Sequence, residues 1–111
     1  MTKLEFLQKL KLYIKKIDQF NNNIKSKFPN CESNAEKRAF IVYSQDMKVL
    51  YMQRYEQFSK MSDAEFNSSY IFNSINKDID FSFKSIELTY KTLMKKEMDY
   101  TPSDPNNSPI L

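Results

Sequence analysis

At 111 residues with a net charge of +3, one cysteine and no glycine, histidine or tryptophan, the chain has room for one domain and lacks the side chains for several chemistries. A single cysteine, Cys31, rules out an internal disulfide, and the missing histidines rule out His-based triads and the usual zinc sites. Without glycine there is neither a phosphate-cradling loop nor a ready source of the left-handed turns that tight β-hairpins need, so the expectation is an all-α, non-catalytic protein built as an antiparallel bundle of three long helices.

Thr2 and Glu5 open the first predicted helix, Lys3 to about Phe28, as a capping box, with Met1 and Phe6 as its hydrophobic staple. Leu7, Leu10, Ile14, Ile17, Ile24 and Phe28 recur at helical spacing, with Phe6, Tyr13 and Phe20 along one edge, so this stripe faces the core. Asn21 interrupts it, a polar position that sets register or marks where the helix loosens toward Asn22 and Asn23. Leu12 lies on the opposite side, among Gln8, Lys9, Lys15 and Lys16. The segment is also the basic one: residues 1–28 carry seven Lys against Glu5 and Asp18, whereas residues 62–111 hold eight acidic side chains against five basic. Such a surface suits an acidic protein partner, and nucleic acid less well, because phosphate binders hold a stronger and more continuous excess.

Pro29 and Asn30 break the chain, and Ser33 with Glu36 predicts a second capping box for a helix running to Met61. Its core face should carry Ala39, Phe40, Tyr43, Met47, Leu50, Tyr51, Phe58 and Met61, with Arg54 in the middle. Ile41, Val42, Val49, Met52 and Tyr55 fall off that face, so residues 39–43 and 49–52 are apolar nearly all the way round. A helix apolar on every side has to be covered on every side. Arg54 cannot lose its charge, and the simplest arrangement lays its stem along apolar neighbours with its head in water.

Ser62 and Glu65 give a third capping box, stapled by Met61 and Phe66. The stripe Phe72, Ile75, Ile79, Phe83, Ile86, Tyr90 and Leu93 predicts one long third helix; a break near Asn76–Asp80 would make four. Phe66, Tyr70, Phe81 and Leu88 lie off that stripe as a second apolar strip. Asp78 and Asp80 come nearest to paired carboxylates, but residues two apart on a helix point to different sides, so they read as a solvated acidic face. Residues 1–100 are expected to form the bundle and 101–111, with three prolines, an extended or disordered tail.

Each helix of a three-helix bundle touches two neighbours and keeps roughly a third to a half of its circumference in water. The second and third helices lack that much polar perimeter. Ile41, Val42, Met52, Phe81 and Leu88 are therefore expected to meet another protein, a second copy of the chain through the second helix, or a fourth helix made by breaking the third. Each large side chain fully withdrawn from water contributes about 1.5–3 kcal/mol. No apolar run approaches the roughly 20 residues of a membrane span, and the N-terminus shows no cleavable secretion signal, which together suggest an intracellular protein.

Leu10-Lys11-Leu12-Tyr13 followed by Lys15 and Lys16, in the first helix of a basic helical chain of this length, resembles the LYR-motif family of small mitochondrial subunits and assembly factors. Arg54 and Phe58, then Ser62 to Glu65 opening the last helix, are similar to that family's second conserved segment and the start of its third helix. The resemblance covers the chain to about Met94, and Ile14 stands where the family has its arginine. It implies a mitochondrial adaptor that binds an acidic acyl-carrier protein and takes the acyl-phosphopantetheine carried by that partner between its helices. Leu12 and Tyr13 would match the motif, Lys15 and Lys16 would substitute for the missing cation, and Arg54 and Phe58 would mark the second segment. A structural subunit that has drifted from the motif fits the same residues. The competing reading, from a different class, is a nucleic-acid-binding or phage or pathogen regulatory inhibitor that uses the basic first helix.

Overall fold

The computed structural model describes residues 1–96; the expected tail at 101–111 and residues 97–100 lie outside the described residues. Helix α1 spans Lys3–Lys27, a single 3₁₀ turn spans Cys31–Ser33, and α2 spans Ala35–Ser59. A short α3, Asp63–Ser68, and a long α4, Phe72–Met94, complete four helices with no strand among the described residues.

Two of the three capping boxes form as expected, Thr2 with Glu5 and Ser62 with Glu65, each satisfying orphan backbone donors in both directions. The middle one does not. Residues 31–33 wind into the 3₁₀ turn, which moves the entry of α2 one residue on, and Asn34 caps it by accepting from the Lys37 amide at 3.0 Å.

The break that makes four helices falls at Ser69–Ile71, and not at Asn76–Asp80. Residues six apart on a continuous helix point about 120° from each other, so an unbroken helix would not bring Phe66 and Phe72 into one cluster. Ser69 turns extended, and both rings enter one cluster with centroids 4.4 Å apart. Ser68 and Ser69 favour that exit, since serine competes for backbone hydrogen bonds outside the helix. Phe6 and Phe58 complete the cluster in edge-to-face contacts with Phe72 and with each other at 4.9–6.0 Å. Edge-to-face rings set a positive rim against a negative face, which holds this end of the bundle in one geometry.

Helix α2 runs antiparallel to α1, in a register fixed by Lys48 on Asp18 at 2.7 Å, Ser44 on Asn21 and the Lys11 ammonium over the Tyr55 ring. Helix α4 runs parallel to α1. Four ties join residues 67 apart: Lys9 to Asn76, Tyr13 to Asp80, Asn23 to Tyr90 and Lys27 to the Met94 carbonyl. The result is an up-down-up bundle with α3 closing the end where α1 begins.

The buried side of α2 carries Lys37, Phe40, Ser44, Tyr51 and Phe58. It is rotated from the expected face, so Ala39 and Tyr43 are exposed while Lys37 and Ser44 turn inward. The cause is polar matching across the helix pair. Asn21 donates to Ile17 O and to Ser44 Oγ, and Ser44 donates onward to Ile41 O, drawing that side of α2 against α1. The Lys37 ammonium sits 4.4 Å from the centre of the Phe28 ring.

Candidate functional site

The residues singled out in the sequence separate into three groups. Tyr13 and Phe58 belong to the interior. Tyr13 stacks on Phe83 with centroids 3.9 Å apart, and its hydroxyl donates to Asp80 Oδ1 at 2.9 Å. Burial, reinforced by the hydrogen bond to the Asp80 carboxylate, pushes its phenol well above the usual range. Phe58 is fully buried in the end cluster and presents no surface to another molecule. Ile41 is half-buried against the core.

Leu12, Lys15 and Lys16 lie on α1, where Leu12 and Lys15 are exposed. Arg54 is half-buried in a cleft of about 240 Å³ between α2 and α4, with Met47, Leu50, Ile75 and Asp78 among its walls. Its guanidinium donates to Gln57 Oε1 at 3.0 Å, the stem-along-apolar arrangement expected of it. The structure therefore does not bring Leu12, Arg54 and Phe58 to one place: Leu12 faces outward from α1, Arg54 lies on the far side of α2, and Phe58 is at the closed end.

Val42, Met52, Phe81 and Leu88 form the third group, with exposures of 55 %, 50 %, 75 % and 58 %. Val42 and Met52 lie on α2 with Val49 between them, also half-exposed, whereas Phe81 and Leu88 stand one heptad apart on the outward side of α4. Phe66 does not join that second strip, because the break at Ser69–Ile71 turns it into the end cluster. The α2 side also opens into a groove of about 620 Å³ against α1, floored by Ile14, Val49, Met52 and Tyr55 and edged by Lys11, Lys48 and Glu56. The sequence did not point to this groove, since it needs the antiparallel register of α1 and α2.

The lysines of α1 are mostly engaged within the bundle. Lys3 donates to Met61 O and lies near Asp63, Lys9 pairs with Asp80 at 2.8 Å, Lys11 covers Tyr55 and Lys27 reaches the end of α4. That leaves Lys15 and Lys25 exposed and Lys16 half-buried, on different sides of α1. No cluster of acidic, Cys or His side chains among the described residues is placed to hold a metal ion, and no described helix is long and apolar enough to cross a membrane. Compared with known proteins, the chain matches no family model, no curated protein and no solved structure. The fold places it among all-α up-down-up bundles.

Proposed function

We propose that this chain is a non-catalytic helical subunit or adaptor that works inside a larger protein assembly. One observation carries the reading: large apolar side chains stand half or more exposed on the outer sides of two helices, Val42, Val49 and Met52 on α2 and Phe81 and Leu88 on α4. Apolar patches that remain open after folding mark surfaces that another molecule covers. Two such sides, on different helices, suit a piece held between neighbours.

The likeness of Leu12, Tyr13, Lys15 and Lys16 to the LYR motif gives this role a specific form, a mitochondrial accessory subunit on an acidic acyl-carrier protein. Lys15 and exposed Leu12 support it, being available on α1; Tyr13 supports it less, being tied to Asp80. Nucleic-acid binding is disfavoured by the engagement of Lys3, Lys9, Lys11 and Lys27 with groups of their own chain. The test is purification from the native source at native abundance, followed by identification of what co-elutes. A stoichiometric protein whose retention barely changes with ionic strength is expected. Elution alone, or with nucleic acid that dissociates steeply as salt rises, would overturn the proposal.

A further inference from the structure

Along the outward side of α2, Arg38, Val42, Gln45, Val49, Met52 and Glu56 recur at spacings of four, three, four, three and four residues. That alternation is the seam of a coiled coil, the line along which one straight helix meets another. Arg38 and Glu56 at its ends are exposed, and the three apolar members between them are each about half open to water.

We propose that a second copy of this chain packs on this seam, α2 against α2 and antiparallel, to form a two-fold dimer. The register follows from charge. Setting Arg38 against Glu56 of the second copy places Val42 on Met52 and Gln45 on Val49, because all three pairs share Met47 as their midpoint. At a 1.5 Å rise per residue the two charged ends stand about 27 Å apart. Opposite charges meet at both ends only in the antiparallel arrangement; a parallel one sets Arg38 on Arg38 and Glu56 on Glu56.

The local contacts leave these groups able to pair. Arg38 uses one donor, from Nη1 to the Glu32 carbonyl at 2.8 Å, and a guanidinium has five. Glu56 has Lys60 only at 3.9 Å, with both side chains largely in water. Lys48, beside the seam near its midpoint, is held at 2.7 Å by Asp18 of its own chain, and Asp46 lies on the other flank. The groove floored by Ile14 and Tyr55 adjoins Val49 and Met52 and gives the incoming helix a second apolar wall. The inference rests on the proposed role only in taking the outer side of α2 as an interface, and it leaves Phe81 and Leu88 on α4 for a different protein.

Sedimentation equilibrium of the purified full chain tests it. The wild type is expected to dimerise with rising concentration, and R38E and E56R each to weaken the dimer by about tenfold, since each replaces two attractive contacts with two repulsive ones. The double variant R38E/E56R restores both pairs and should return to within about threefold of wild type, while F81S/L88S should leave the dimer unchanged. Thermal unfolding by circular dichroism confirms that each variant is folded. A monomer at every concentration, a dimer indifferent to both reversals, no recovery in the double variant, or loss of the dimer in F81S/L88S would overturn the proposal. None of those results bears on what co-purifies through α4, so the adaptor role stands or falls separately.

Discussion

The seam between α1 and α4 and the outer side of α2 distribute polarity in opposite ways. Between α1 and α4, charged and polar groups meet across the seam and are matched: Lys9 and Tyr13 share Asp80, Asn23 reaches the Tyr90 hydroxyl, and Phe20 stacks on Tyr90 at 4.1 Å. On α2, Val42, Val49 and Met52 face outward, each about half open to water. Polar contacts of this kind add less stability than apolar packing of equal volume, but they fix which helix lies beside which and in what register. The inner seam therefore specifies the bundle, and the apolar outer sides are left over from it. Large apolar side chains placed outside a core that is already closed contribute nothing to that core.

This contrast is most strongly broken from within. Phe58→Ala removes a fully buried ring from the end cluster and should cost about 3–5 kcal/mol in urea unfolding. A loss below 1 kcal/mol would mean that the cluster does not close the bundle.

Next comes the pH dependence of the seam. Burial is the leading cause that raises the phenol of Tyr13 far above the ordinary range and that of Tyr51 to about 12. A group whose pKa is raised on folding contributes stability that is fully present below its unfolded value and lost as pH climbs toward the folded one. Stability should thus hold up to about pH 10, the free phenol value, and fall above it. Tyr13→Phe should make that alkaline fall shallower; a slope unchanged in this variant would show that the hydroxyl is not held away from ionisation.

The smallest effect sharpens the other half of the comparison. Val42→Ser and Val49→Ser should each change the free energy of unfolding of the isolated subunit by no more than about 0.5 kcal/mol, as surface substitutions do. Unfolding at concentrations low enough to exclude association is the measurement. A loss of 2 kcal/mol at either position would place that side chain in the core.

The fold was legible where local chemistry decides it. Capping boxes at Thr2 and Ser62 and the stripes of α1 and α4 are contained in a few neighbouring residues, and they located two helix starts and two core faces, though not the split between α3 and α4. The rest depends on residues far apart in sequence. The break after Ser68 exists because Phe66 and Phe72 must meet Phe6 and Phe58, and hydropathy spacing within one helix carries no trace of that meeting. The face of α2 was misplaced because Lys37 and Ser44 look like solvent residues until Phe28 and Asn21 are set opposite them. The outward apolar residues were the readable part of the candidate site, since Val42, Met52, Phe81 and Leu88 fall off the core stripes whatever the partner helix is. That Leu12, Arg54 and Phe58 stand apart was not, because it depends on how three helices turn relative to one another.

The central claim is that the outer sides of α2 and α4 exist to be covered. Its most direct test replaces Val42, Met52, Phe81 and Leu88 together by serine in the native host and compares the proteins that co-purify with wild-type and substituted chains at equal abundance. The account predicts that the substituted chain melts within a few degrees of wild type and loses its stoichiometric partners. Retention of the same partners by a folded, substituted chain would contradict it.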